Sequence, residues 1–146
     1  MLIVDTRERK NDHIKSFLDN HNIKYQVKKL DVGDYAEENG HIVIDRKKDL
    51  NELVINMVSK DRTRFYNEIR RARKNKVKMI ILCEHGGKVK TISDVKDWNP
   101  KYSKVSGQVL MNKMYEAHIA YGIEFLFCDK RTTGRKICEL LGVDYE

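Results

Sequence analysis

Asp34, Asp45 and Lys47 are the residues of this 146-residue chain whose types and spacing best suit chemistry. They lie in the stretch from Gly33 to Lys47, where Asn39-Gly40 is the signal for a tight hairpin with a type I′ turn, both central residues at positive φ. With that pair at the tip, Glu38 faces His41, Ala36 faces Val43, Tyr35 faces Ile44 and Asp34 faces Asp45. Directly opposed residues share one face of a sheet, with Cβ atoms about 5 Å apart. Period-two alternation adds Lys47 to that face and turns Arg46 to the other. At that distance two carboxylates repel by about 3 kcal/mol at an effective dielectric of about 20, so a hairpin built only for stability gains nothing from them. A divalent cation between them reverses the sign. Mg2+ takes one or two carboxylates and leaves its other positions to water and phosphate oxygens. Two carboxylates and a nearby lysine form the set that metal-dependent phosphodiester hydrolysis requires. The ion polarises phosphate and yields hydroxide, while the ammonium steadies developing negative charge or orients the attacking water. The plainer alternative is an exposed hairpin edge with scattered charges.

Further polar candidates surround this stretch. Leu2–Thr6 reads as a buried strand that delivers Asp5, Arg7 and Glu8 at its end, where α/β folds tend to place functional groups; a simple strand-end turn is the alternative. Asp49, followed three residues later by Glu52, resembles a capping box at the start of a helix, a local role that accounts for both acids without catalysis. The segment 60–78 carries nine basic residues (Lys60, Arg62, Arg64, Arg70, Arg71, Arg73, Lys74, Lys76, Lys78) against Asp61 and Glu68. That excess of +7 equals the net charge of the whole chain, so the remainder balances. Such a run is often only a solvated face. Close behind a candidate phosphodiesterase site, it is better read as a phosphate-backbone contact, with Lys60, Arg62, Arg64, Arg70, Arg71, Arg73 and Lys74 as the DNA-binding candidates.

The elements that must position these residues can be read from periodicity. After the first strand, Asn11 or Asp12 should cap a helix with Ile14, Phe17 and Leu18 inside, and Lys24–Leu30 should be a strand leading into the hairpin. Leu50, Leu53, Val54, Met57 and Val58 repeat at helical spacing. Phe65, Ile69 and Ala72 then give the basic segment a narrow apolar stripe. Val77–Cys83 is a core strand, Glu84–Tyr102 a loop region with a short helical turn after Ser93, and a long helix follows with Leu110, Met114, Ala117, His118 and Tyr121 on its core face. Ile123–Cys128 is the last strand, and a final helix capped by Thr132 or Thr133 stops at Gly142. Strands alternating with helices in this order predict an α/β fold, a mixed central sheet between helices, as one domain over residues 1–146.

Composition narrows the classes. Charged residues are 35% and hydrophobic ones 40%. Three cysteines without CxxC spacing argue against a disulfide framework or zinc site, and the five histidines show no HxH or HExxH spacing. No apolar stretch approaches membrane-spanning length and the N-terminus reads as a strand, so the expected setting is intracellular: cytoplasmic, or associated with nucleoid or nucleus, with no membrane partner.

Val4–Glu8 (VDTRE), Val32–Tyr35 (VGDY) and Ile44–Leu50 (IDRKKDL), in that order, resemble the motifs of the XPF-type structure-specific endonucleases, with signature GD…ERKxxxD. The KMIILCE and FCDKRTTG segments are also similar to that family. The resemblance implies a restriction-endonuclease-like fold, with helices on both faces of the mixed sheet. It implies an Mg2+-dependent endonuclease, Mn2+ supporting the same chemistry, that hydrolyses branched or flapped DNA, or single/double-strand junctions, in repair, recombination or replication. Asp34 and Asp45 match the metal-binding acids, Lys47 the catalytic lysine, Arg46 the motif arginine, and Asp5 and Arg7 the acid and arginine after the first strand, with Glu8 beside them. Two departures stand out. Asp45 replaces a glutamate, and Asn51 occupies the place of the last acid, leaving Asp49 or Glu52 as substitutes. The chain carries no helix-hairpin-helix tandem or helicase segment. It therefore reads as a stand-alone nuclease domain whose substrate geometry is set by the domain itself, by a homodimer or heterodimer mate, or by another protein. Two alternatives remain: a DNA-binding module of this fold that has lost catalysis, and a scaffold that uses the basic helix on acidic partners.

Overall fold

A computed structural model of the chain describes residues 1–101 and 103–145. Six strands, β1 (Leu2–Val4), β2 (Tyr25–Val27), β3 (Tyr35–Glu37), β4 (Ile42–Lys47), β5 (Lys78–Cys83) and β6 (Glu124–Phe127), form one sheet in the order β2-β1-β3-β4-β5-β6. β3 runs antiparallel to both β1 and β4, while β1–β2, β4–β5 and β5–β6 are parallel. The sheet is mixed because a tight hairpin joins β3 to β4, whereas every parallel pair needs a crossover, here supplied by helices.

The alternation of β4 sorts the molecule into layers. Ile44 packs with Leu2, Val4, Tyr35, Ile80 and Leu82 against α1 (Asp12–Asn20) and α5 (Thr133–Leu141). Val43 packs with Met79, Ile81 and Cys83 against α2 (Leu50–Met57), α3 (Arg62–Lys74) and α4 (Gly107–Tyr121). Both cores thus share one sheet, with helices on each face, and each large apolar side chain so buried contributes about 1.5–3 kcal/mol. α3 buries Phe65, Ile69 and Ala72, the stripe its spacing predicts. Among the described residues no helix is long and apolar enough to cross a membrane.

The expected hairpin register holds, Tyr35 opposite Ile44 and Ala36 opposite Val43, but the turn differs from type I′. Gly40 N–H donates to Glu37 O at 2.9 Å, and of the two tip residues only Asn39 takes a positive φ, 68°. Positive φ at the third turn residue alone is the type II pattern, which Asn tolerates. Gly40 is there for space: a Cβ on it would lie 3.0 Å from Glu37 O.

Several local expectations yield to tertiary demands. β1 and β2 are shorter than their apolar runs, and Val27 is half exposed. Asn11 sits at the N-cap of α1 without capping it. Its amide is buried and donates to Tyr35 Oη at 3.2 Å. Thr132 and Thr133 do not cap α5 with their side chains; Thr133 Oγ1 donates instead to Glu84 at 2.5 Å. His118 is exposed rather than on the core face, its Nδ1 2.7 Å from Ile123 O. The expected helical turn after Ser93 is a short 3-10 helix, Ile92–Asp97, and the end of that loop at Tyr102 lies outside the described residues.

Candidate active site

Asp45 and Lys47 leave β4 toward the α2–α3 layer, only 5% and 7% exposed, and Asp34 is brought against them by the backbone before β3. Gly33 makes that approach feasible. Its φ is 78°, and a Cβ there would lie 3.0 Å from Val43 Cβ and 3.2 Å from Ile44 O. Asp34 then extends the ladder in both directions. Its N–H donates to Ile44 O at 2.7 Å, and its carbonyl accepts from Asp5 N–H at 2.8 Å. Asp34 Oδ2 accepts from Arg46 N–H at 2.8 Å, which fastens the carboxylate to β4.

The electrostatics follow from that crowding. Burial first, and then Asp45 and Glu8, push the Asp34 carboxyl well above the usual carboxylate range, with the Asp45 carboxyl in hydrogen-bonding reach. Lys47 Nζ lies 3.2 Å from Asp45 and 3.9 Å from Glu52, over the Phe65 ring at 5.3 Å. Burial pulls the ammonium down, but Asp45, Glu52 and Asp34 outweigh it and raise the pKa, so Lys47 stays charged. These groups line an open cleft of about 750 Å³ with Glu8, Arg46, Asn56, Lys60, Arg64 and Glu68.

Glu68 is the residue that sequence reasoning missed. Burial first, then Asp45, push its carboxyl up to about 7, again with the two carboxyls in hydrogen-bonding reach. The available signal was its position three residues after Phe65 and one before Ile69, on the flank of the buried stripe. Among the described residues no three His, Cys, Asp or Glu side chains converge on one point. Asp34, Asp45 and Glu68 instead form a row joined at Asp45.

On the opposite face of β4, Arg46 is the centre of a buried network. Its Nε donates to Glu8 at 2.7 Å, one Nη to Arg9 O at 2.6 Å, and the other Nη to Glu84. Tyr35 Oη donates to Glu8 at 2.6 Å, and His13 Nε2 lies 2.6 Å from Glu84. Glu84 was not singled out from sequence, although it closes the apolar run of β5 and its N–H donates to Lys47 O at 2.8 Å. Burial pushes the Glu84 carboxyl up, but Thr133, Arg46 and His13 outweigh that and hold it below its ordinary value.

Other sequence candidates lie elsewhere. Asp5 accepts from the Arg7 guanidinium at 2.9 Å and from Leu30 N–H at 2.8 Å, and Arg7 donates to Leu30 O at 2.8 Å. The pair locks the end of β1 to the chain after β2, next to the cleft but not lining it. Asp49 caps α2, accepting from Glu52 N–H at 3.1 Å, while Glu52 accepts from Lys48 N–H at 2.8 Å and also lines the cleft. Asn51 does not face the acids. It borders a separate apolar pocket with Val54, Ile55, Val58, Ser103 and Val105, its Oδ1 buried without a partner among the described residues. The basic residues also divide. Lys60 and Arg64 line the cleft, and Arg62 and Arg70 line a neighbouring groove with Tyr66 and Tyr121. Arg71 leans on Asp31 and Arg73 donates to Ala120 O, while Lys74 is exposed at the last turn of α3.

Two adjoining carboxylates and a charged lysine, open to a cleft with cations on its rim, are suited to a hard divalent ion and a polyanion. The oxygen-only donor set is one that hard divalent cations prefer. XPF from Aeropyrum pernix has the same fold, with 20% identity and a TM-score of 0.74 over 99% of this chain and 66% of that one. The same protein in complex with DNA gives 21% identity and a TM-score of 0.74 over 97% of this chain and 63% of that one. The chain thus spans just under two thirds of the length of the structures it matches. No curated protein matches it by sequence. The ERCC4 domain family model matches residues 4–140, nearly the whole length. With the three motifs, the mixed six-stranded sheet and the acid–acid–lysine cleft now joined to that match, the chain belongs to the ERCC4 domain family, the nuclease family its motifs resemble.

Proposed function

We propose that this protein is a divalent-cation-dependent DNA endonuclease acting on branched or flapped DNA. The observation that carries the reading is the contact between Asp34 and Asp45, two carboxylates pressed together beside a charged Lys47, in the cleft that Lys60 and Arg64 also line. Like charges in contact are costly, and a cation offsets that cost. Asp34 and Asp45 are the residues that would hold Mg2+ or Mn2+; when bound, the ion would supply phosphate polarisation and a more acidic water. Lys47, kept protonated by its carboxylate neighbours, offers positive charge to the phosphate oxygen that gains charge during cleavage. Arg46, through its backbone N–H, fixes the Asp34 carboxylate, and Asp5 with Arg7 holds the strand end on which Asp34 rests. The complex of XPF from Aeropyrum pernix with DNA supports DNA as the ligand. An intracellular setting follows from that ligand.

A panel of flap, fork, four-way junction and plain duplex, incubated with Mg2+, tests the reading. Cleavage of the branched substrates and sparing of the duplex is expected. Binding to all of them with no cleavage in Mg2+ or Mn2+ would leave a DNA-binding module, and binding to none would overturn the reading.

The uneven placement of the basic residues gives a second prediction. The pair Lys60→Glu and Arg64→Glu should weaken DNA binding for every sequence and lower the salt slope by about 2, since each phosphate contact contributes about 0.9. The pair Arg73→Glu and Lys74→Glu should do less. The far-UV spectrum should not change, because Phe65, Ile69 and Ala72 carry the packing of α3. Fluorescence anisotropy in EDTA at several salt concentrations reads the difference; equal effects of the two pairs would remove the cleft rim as the contact.

A further inference from the structure

Position 51 is an asparagine that faces an apolar pocket away from the acids, yet the cleft contains a carboxylate unrelated to the motif. Glu68 reaches it from α3, a different element from the strands that carry Asp34 and Asp45. Its stem is fixed by the burial of Phe65 and Ile69 on the same helix, and its carboxyl meets that of Asp45. Asp45 is therefore flanked by two carboxyls, Asp34 and Glu68, and by the Lys47 ammonium at 3.2 Å. Lys47 sits among these acids with a fourth carboxylate, Glu52, 3.9 Å from its nitrogen, and Arg71 acts on Glu68 from the same helix.

We infer that Glu68 is the third acid of the cation site, held beside Asp45 by α3, and that residue 51 has no part in it. The inference rests on the proposed function, since it assigns a residue to that same site. Asp34 and Glu68, one on each side of Asp45, would then both contribute negative charge to a divalent cation held there. Glu68 also ties the site to α3, the helix that bears Arg64, with Lys60 in the turn just before it. A purely structural role, in which Glu68 only balances Lys47 and Arg71, would leave ion affinity unaltered when the carboxylate becomes an amide.

Mn2+ alone, titrated into the metal-free full chain and followed by the EPR signal of the free ion, separates these roles without reference to cleavage. Glu68→Gln is expected to weaken Mn2+ binding by about 10- to 100-fold, the range found when groups supporting a metal site are lost. Asn51→Asp should not tighten it. Asp45→Asn should lose it altogether. Should Glu68→Gln fold poorly by circular dichroism, Glu68→Asp keeps the charge on a shorter stem and should show an intermediate loss. If Glu68→Gln binds Mn2+ as the natural chain does while Asp45→Asn does not, the inference fails and the cation site stands. If Asn51→Asp tightens binding ten-fold or more, position 51 is the third acid's place and the inference fails. If the natural chain itself takes up no Mn2+, the inference and the function both fall.

Discussion

Asp45→Asn should leave the metal-free protein as stable as the natural chain or slightly more so, and should remove its stabilisation by Mg2+. The side chain is nearly isosteric, so the packing on β4 is kept. What changes is charge. Asp45 is 5% exposed and meets two other carboxyls, Asp34 and Glu68, each worth up to about 3 kcal/mol of repulsion when all are ionised. Against this relief stands the loss of the 3.2 Å ion pair with Lys47, which retains Glu52 at 3.9 Å. In Mg2+ the order should reverse: a ligand at 100 times its Kd stabilises the natural chain by about 2.7 kcal/mol, and the variant should gain little. DNA affinity in EDTA should survive, because Lys60 and Arg64 are untouched, while cleavage in Mg2+ should fall by orders of magnitude. Thermal melts with and without Mg2+, together with the cleavage panel, read both arms. Equal stabilisation of both proteins by Mg2+, or undiminished cleavage by the variant, would show that Asp34 and Asp45 do not hold the ion.

The placement of Asp34, Asp45 and Lys47 together was legible in sequence because strand alternation is a hard geometric rule. Once Asn39 sits at the tip, the register of Tyr35 with Ile44 follows, and with it the shared face of Asp34, Asp45 and Lys47. The turn type was less legible: Asn39-Gly40 has two routes to a tight turn, and Gly40 serves by its lack of a Cβ rather than by positive φ. The apolar stripes of α2 and α3 were equally plain, since spacing encodes which side is inside. How those helices are rotated about the site is tertiary information. Glu68 looked like a lone acid in a cationic run until α3 was set against β4. Asn51 looked like a motif position, yet it borders a separate pocket with Val54 and Val58, three and seven residues on, and only the docking of α2 shows that it is turned from the acids. Capping rules failed at Asn11 and Thr133 for one reason, the stronger claim of buried partners, Tyr35 and Glu84, on the same side chains.

Arg46→Ala should cost more stability than any other single change near the cleft, about 3–5 kcal/mol, the range for removing one partner of a buried ion pair. The Arg46 side chain is 8% exposed and is shared between Glu8, 10% exposed, and Glu84, fully buried. Without it Glu8 keeps the Tyr35 hydroxyl, and Glu84 keeps Thr133 and His13, but neither keeps a permanent positive charge. The dependence on pH identifies the cause. The Glu84 carboxyl is held below its ordinary 4.5 in the folded protein, so its contribution is present above that value and is lost as pH falls through the lower, folded value. The deficit of Arg46→Ala should therefore be full at pH 7.5. It should shrink toward pH 4, where Glu84, without the arginine that holds its carboxyl low, can take up a proton in the variant and no longer needs a counter-charge. Replacing all three charges at once, as Arg46→Met with Glu8→Gln and Glu84→Gln, should recover much of the loss, because neither carboxylate of this network is then left buried without its counter-charge. Urea denaturation at pH 4, 5.5 and 7.5 measures the deficit. A deficit of equal size at all three would assign the loss to packing of the arginine stem, and one below about 1 kcal/mol at pH 7.5 would mean that the network does not hold the back of β4 in place.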